Sequence, residues 1–279
     1  MDQQRIGELV RVSARVRQLI VEVLICAGCG HPGGAFSSVD LMVGLYFHAL
    51  RIDPKRPSAP DRDLFVLSKG HSSVGLYTVL HARGFLDEKT LMTFRQDGSA
   101  LGGHPIKDKV PGIEVSTGSL GHGFSVAAGM ALGIKKDGQA KRVFVMVGDG
   151  ECQEGSVWEA AMFAAHYKLD NLVAIVDRNR IQIDGFTEDI LALEPMVDKW
   201  EAFGWAVRRI NGHSMTEIVA AMDALPLGKG RPSVIIADTV KGKGVSFMEN
   251  NPAWHGGGIS GANIEIARAD TYWPGDKGV

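Results

Sequence analysis

No apolar run in the 279-residue sequence approaches the roughly 20 residues needed to cross a bilayer as a helix. The first 28 residues mix charges into an apolar stripe and hold no signal-peptide core. No membrane partner is expected, and the cytoplasm is the expected location. Positive charge is not in excess either: the formal net charge is -2, which removes the basic field that nucleic acid requires. Cysteine is scarce, and three residues fit a reducing compartment. Cys26 and Cys29 form a lone C-x-x-C without a second ligand pair, so a helix end with two small apolar side chains is expected over a metal or redox site. Cys152 is expected to be partly exposed, with nothing to mark it as a nucleophile. Familiar phosphate cradles are missing too. There is no G-x-x-x-x-G-K-[ST], and glycines 148, 150 and 155 do not make G-x-G-x-x-G. A nicotinamide site is thereby disfavoured. Internal repeats and low-complexity linkers are also lacking.

What is present is an ordinary globular composition, 45% hydrophobic and 22% charged, enough for a large core. Leu9, Val12, Val16, Leu19, Ile20 and Val23 recur at helical spacing. "SSVDLMVGLYFHAL" reads as a second helix opened by a serine cap. "DLFVLS" is a short buried strand, followed by a glycine turn and a helix in "KGHSSVGLYTVLHARG". "GHGFSVAAGMALGIKKDG" is a helix of small residues. "RVFVMV", "NLVAIVD", "WAVRRI" and "PSVIIADT" are four further strands, separated by helices at 156–167, 196–203 and 214–224. Continuous apolar strands alternating with helices predict a three-layer α/β/α fold around a mostly parallel sheet. The tail "DTYWPGDKGV" reads as peripheral.

In such folds ligands bind at the carboxyl ends of strands. "VFVMVGDGECQEG" ends a buried strand by setting Asp149 between Gly148 and Gly150. A plain turn explains the tripeptide alone. However, Asn179 ends the strand "LVAIVDRN" 30 residues later, one helix and one strand further on. That is one right-handed β-α-β unit. Neighbouring parallel strands lie about 4.8 Å apart, so both side chains reach one cation. A carboxylate, an amide oxygen and a loop carbonyl from "NRIQIDG" suit Mg²⁺ or Ca²⁺. Glycines 148 and 150 let a diphosphate approach the backbone, and the following helix offers its N-terminus.

Four of the nine histidines, His31, His71, His104 and His255, lie in glycine-rich turns. Taken singly, each is a surface or turn histidine; together they are candidates for moving protons near neutral pH. His48 and His81 read as structural, His166 as packing, and His213 as a turn and helix-cap residue. "KGKG" at 241–244 is either a solvated or a phosphate-facing loop.

The stretch from Gly148 to Gly185, GDG followed by a distant Asn, resembles the thiamine diphosphate motif in its transketolase form. "GHPGG" at 30–34, "SKGHSS" at 68–73, "GGHP" at 102–105, "STGSLGHG" at 116–123 and "KGKGVSFMENNPAWHG" at 241–256 follow the same order as in transketolases and cover most of the chain. The resemblance implies Mg²⁺ ligation by Asp149, Asn179 and the Ile181 carbonyl, with Ca²⁺ or Mn²⁺ able to substitute. Gly150 would contact the diphosphate, and Gly118 and Leu120 would line the cofactor through their backbone. His71 and His255 would bind diphosphate oxygens or reach the reacting carbon. His31 and His104 would face substrate hydroxyls and carbonyl. Glu154 and Glu159 match acidic positions that link two cofactor sites across a dimer. Ser119, His122 and Cys29 depart from the common family pattern, which bears on substrate preference.

Full-length transketolases are more than twice this length and carry pyrimidine-binding and C-terminal domains. The resemblance therefore implies that residues 1–279 form a single diphosphate-binding domain, the N-terminal subunit of a split transketolase. A separate pyrimidine-binding chain would complete it, as two copies of each, to act on sugars or sugar phosphates. Alternatives are the thiamine-dependent subunit of a 2-oxo acid dehydrogenase, a relative of deoxyxylulose-phosphate synthase, or a cofactor-binding protein without catalysis. The row of Gly-His turns favours transketolase over a 2-oxo acid enzyme, whose substrate has no row of hydroxyls to bind.

Overall fold

A computed structural model describes residues 2–274. Five strands form one all-parallel sheet: β1 (Leu64–Leu67), β2 (Val143–Gly148), β3 (Leu172–Arg178), β4 (Ala206–Asn211) and β5 (Ser233–Asp238), in the spatial order β1-β2-β3-β5-β4. These are the five strands that the sequence predicts, four of them continuous apolar runs and β4 interrupted by Arg208 and Arg209. Side chains alternate across the pleat and feed two cores. Phe144, Met146, Val173 and Ile175 face a layer containing the Gln3–Ala27, Ser73–Arg83 and Met215–Asp223 helices. Val145, Val147, Ala174 and Val176 face the His122–Lys136, Gly155–His166 and Met196–Ala202 helices, with Trp200 and Trp205 fully buried among them. Each large apolar side chain so buried contributes about 1.5–3 kcal/mol. β4 lies at an edge and carries the partly exposed Arg208 and Arg209, charges that discourage pairing with another chain.

Some local expectations are corrected. The second helix, expected over 37–50, is two short pieces, Val39–Gly44 and a π-helical turn at Leu45–Ala49, and a separate short helix, Pro32–Ser37, precedes it. Ser38 does not cap it; its hydroxyl donates to the Gly34 carbonyl at 2.6 Å. Cys152 is fully buried rather than partly exposed, because it packs beneath the β2 turn. Cys26 is exposed rather than an apolar helix-end contact, and all three thiols are free. His166 is exposed, touching only the Tyr167 ring edge-on among aromatic neighbours, so it is no packing residue. Ser214, not His213, caps the Met215–Asp223 helix. His213 bridges instead: Asp40 Oδ2 lies 2.8 Å from its Nδ1, and its Nε2 accepts the Val240 N–H at 2.9 Å. Of the tail, residues 275–279 lie outside the described residues. No helix among the described residues is long and apolar enough to cross a membrane.

Candidate functional site

The carboxyl ends of β1, β2 and β3 open into a cavity of about 360 Å³. With one exception, every residue of the predicted site lines it. Asp149 and Gly150 come from the end of β2, Asn179 and Ile181 from the end of β3, and Gly118 and Leu120 from the loop before the His122–Lys136 helix. His31, His71, His104 and His255 come from four separate turns, and Glu154 stands exposed at the rim. The exception is Glu159, which borders a different groove with Ser125 and Phe163.

The register explains the convergence of Asp149 and Asn179. Gly148 pairs with Asp177 across β2 and β3, so Asp149 stands level with Arg178 and Asn179 follows one residue on, on the neighbouring strand end. Asp149 Oδ1 accepts the Gly150 N–H at 2.8 Å, and Oδ2 accepts Arg178 Nη1 at 3.0 Å and the Arg180 N–H. Burial, and then the charge of Asp177, push the Asp149 carboxyl above the usual range, with Arg178 opposing. Asn179 Oδ1 accepts the Ile181 N–H at 3.1 Å. The Ile181 carbonyl accepts Lys241 Nζ at 2.9 Å. Among the described residues no cluster of three or more His, Cys, Asp or Glu side chains could hold a metal. A cation here depends on amide and backbone oxygens as well as one carboxylate. Such a donor set is made only of hard oxygens, which fits Mg²⁺ or Ca²⁺ and not a soft metal.

The histidines form one patch. The His31 ring centroid lies 5.5 Å from that of His71, 5.8 Å from His104 and 5.8 Å from His255. His71 and His255 are 5.1 Å apart. Burial lowers all four, followed by neighbouring positive charge: His31 to about 4, beside His104, Arg95 and Lys241; His255 to about 3, beside Lys241 and His31; His71 well down, beside Lys69; and His104 down, beside Arg95. All four are therefore neutral imidazoles near pH 7, each able to donate from one nitrogen and accept at the other. His31 Nδ1 is buried and has no hydrogen-bond partner among the described residues. A buried polar atom without a partner is costly unless something else meets it. The glycines keep the wall close: a Cβ at Gly34 would lie 2.7 Å from Ser72 Oγ, and one at Gly150 would lie 2.9 Å from Gln182 Cβ.

Sequence reasoning missed a second ring of charge. Lys69 and Lys241 are buried at the cavity wall. The two lysines of "KGKG" part company: Lys241 Nζ turns inward and also meets His255 Nδ1 at 2.9 Å, while Lys243 pairs with Glu249 at 3.1 Å and stays half exposed. Burial and the repulsion of Lys69 bring Lys241 down to about 8, against the pull of Asp149 and Asp177. The ammonium donates to His255 Nδ1, which leaves the imidazole proton on Nε2. Glu151 is the buried acid of the turn: it accepts N–H groups of Gly121 at 2.8 Å and Gly148 at 3.0 Å, and the Ser68 hydroxyl. Asp177 and Arg178 were visible as charges closing an apolar strand, a placement that itself signals a buried network.

The chain matches the family model "Transketolase, thiamine diphosphate binding domain" over residues 10–278. It is 43% identical over 261 residues to an apulose-4-phosphate transketolase subunit of Actinobacillus succinogenes, covering 93% of this chain and 94% of that one. It is 44% identical over 255 residues to the 6-deoxy-6-sulfo-D-fructose transketolase subunit SqwG of a Clostridium strain, covering 91% and 92%. The transketolase structure from Campylobacter jejuni superposes with a TM-score of 0.88 at 33% identity, covering 97% of this chain and 43% of that chain. This chain thus spans about two fifths of that solved enzyme and nearly all of the two subunits. Fold, motif order and similarity agree: the chain belongs to the transketolase family, as its thiamine diphosphate binding domain.

Proposed function

We propose that this chain is the diphosphate- and metal-binding subunit of a split transketolase, which moves a two-carbon ketol unit from a ketose to an aldose. The observation that carries this reading is the convergence of four neutral histidines with the Asp149, Asn179 and Ile181 oxygens in one cavity. Asp149, Asn179 and the Ile181 carbonyl would hold Mg²⁺, with Ca²⁺ or Mn²⁺ able to replace it. The Gly150 backbone, His71 and His255 would face the diphosphate, and Gly118 and Leu120 the body of the cofactor. Thiamine diphosphate would supply the carbanion stabilisation that cleaving a carbon–carbon bond beside a carbonyl requires. His31 and His104 bind substrate oxygens and move protons on and off them.

A 2-oxo acid offers no row of hydroxyls to these imidazoles, which favours a sugar substrate. The two related subunits carry names of sugars with different anionic tails, one a phosphate and one a sulfonate. At nearly equal similarity to both, this chain does not itself read the tail. The cations that do so belong on a second chain, which also supplies the pyrimidine-binding and C-terminal domains. We assign the pair to the cytoplasm as an assembly of two copies of each chain, with Glu154 close to the seam. Ile183, Phe186, Ile190 and Leu191 are exposed within one short segment next to the cavity, and Gln153 ties that segment to the β2 turn through the Leu191 carbonyl at 2.7 Å. This apolar ledge continues the rim and is where the partner would seal the cofactor from water.

Calorimetry tests the metal site. Asp149→Ala is expected to abolish Mg²⁺-dependent binding of thiamine diphosphate while the far-ultraviolet circular dichroism stays unchanged. Wild-type affinity in that variant overturns the assignment.

A further inference from the structure

One carboxylate beside the cavity does not line it. Asp177, at the carboxyl end of β3, is fully buried and accepts from four side chains. Thr239 Oγ1 meets its Oδ1. Ser37 Oγ at 2.6 Å, Asn179 Nδ2 at 3.1 Å and the Lys69 ammonium meet its Oδ2. Lys69 also donates to the Gly34 carbonyl at 2.9 Å. A carboxylate so saturated is not offered to a cation as a ligand.

We propose that Asp177 is a positioning residue that fixes which end of the Asn179 amide faces the metal. The inference rests on the metal site proposed above. An amide presents an oxygen and an NH₂ of nearly the same shape, and only the oxygen can ligate a hard cation. An ionised carboxylate only accepts, so Asp177 can capture only the NH₂ end. Held there, Asn179 turns Oδ1 toward the strand end, where it accepts the Ile181 N–H at 3.1 Å. Turning the amide over breaks both contacts. It would set Oδ1 against a carboxylate oxygen and Nδ2 against the Ile181 N–H, so acceptor would face acceptor and donor would face donor. In a buried site neither clash is relieved by water. Lys69 makes the arrangement tenable by giving Asp177 a counter-charge within the protein, so that the carboxylate stays ionised and purely an acceptor. Asp149 and Asp177 thus divide the work at adjacent strand ends: one carboxylate ligates, and the other orients a ligand.

Mn²⁺ is the probe, titrated by electron paramagnetic resonance into the chain assembled with its partner, with thiamine diphosphate present, wild type and variants alike. Asp177→Asn keeps the shape but lets position 177 donate or accept, so the Asn179 amide is no longer sorted. Outer-shell partners of this kind change metal affinity by about 10–100-fold, and a loss in that range is expected. Adding Asn179→Asp to that variant removes the need for sorting, since both ends of a carboxylate are oxygen, and is expected to recover most of the affinity. Failure of that recovery would mean that the loss comes only from stranding Lys69, and the proposal falls. Wild-type Mn²⁺ affinity in Asp177→Asn overturns it equally. Absence of Mn²⁺ binding by the wild-type assembly overturns the metal site itself, and this inference with it. A second measurement does not depend on the variant folding. In the metal-free wild-type chain, ¹⁵N spectra should show Asn179 side-chain amide protons protected from exchange, assigned by their loss in Asn179→Asp. Exchange as fast as that of an exposed asparagine refutes the capture by Asp177.

Discussion

At the scale of single residues, burial sets the protonation of the site. His31 and His255 sit near 4 and 3 against an ordinary 6.5. The unfolded chain therefore binds more protons than the folded one between pH 6.5 and about 4. Stability rises with pH through that window and is lost on acidification. Thermal melting between pH 7 and 4 should show this fall, and a His31→Ala/His255→Ala variant should show a shallower one; equal slopes would remove the histidines as its source. Turnover carries a separate expectation. His31→Ala should lower kcat by about 10²–10⁴, the usual worth of a proton-transfer group, with the melting midpoint at pH 7.5 little changed. Wild-type turnover would make His31 structural. Residues of this kind were legible where glycine marked a turn, as around His31, His71 and His104. Lys69 was not, because its counter-charge stands 108 residues away, and nothing local distinguishes a buried lysine from a solvated one.

Elements were legible by periodicity and illegible where long-range contacts decide. Four strands, β1, β2, β3 and β5, stand where continuous apolar runs predict them, since a strand buried on both faces has no polar side to show, and the edge strand β4 stands where "WAVRRI" predicts it despite its two arginines. The segment 37–50 read as one helix because apolar spacing does not distinguish an α turn from a π turn; the change comes just after Gly44, where a Cβ would lie 2.6 Å from Ile218 Cγ2. His213 read as a cap because it stands in "NGHS", whereas its partners Asp40 and Val240 are distant in sequence. Arg17 grips Asp40 through both carboxylate oxygens, at 2.9 and 2.6 Å, and Asp40 meets His213, which holds the backbone just before Lys241. This strut ties the longest helix to the loop that delivers a lysine to the cavity. Removing one partner of such a buried pair typically costs about 3–5 kcal/mol. Asp40→Ala should lose stability on that order in urea titration, and a midpoint within error of wild type would show that the strut bears no weight. Close approach makes a second element-scale demand. A Cβ at Gly123 would lie 2.8 Å from the Ser68 Cα, so Gly123→Ala should push the His122–Lys136 helix from the end of β1 and cost about 1–3 kcal/mol by the same assay.

For the whole molecule, the order of motifs along the chain identified the family, because each motif alone is a common turn while their sequence is not. The proposed partner chain has no signature in this sequence beyond the fact that the chain spans about two fifths of the Campylobacter jejuni enzyme. The split-enzyme reading expects the purified chain to show no ketol transfer from a ketose phosphate and to gain it on mixing with its partner. Turnover by the isolated chain, free of other polypeptides by mass spectrometry, would refute it. The ledge beside the cavity makes the seam testable: Leu191, 58% exposed, gains nothing from the isolated fold. Leu191→Asp should weaken assembly at least tenfold in analytical ultracentrifugation while leaving the melting of the single chain unchanged.

The strand order has a consequence for biosynthesis. β5 is the last strand made, yet it lies between β3 and β4. Until residue 238 has been translated, β3 has a bare edge, β4 has nothing to pair with, and Asp177 lacks the Thr239 hydroxyl. A nascent chain of about 230 residues already contains every histidine of the cavity except His255 but keeps its central strand open to neighbouring chains. The sheet closes from its middle, not its rim. A cofactor that fits the finished cavity therefore meets it only after β5 has emerged, and the form with β3 still open is the one most exposed to strand pairing with other chains.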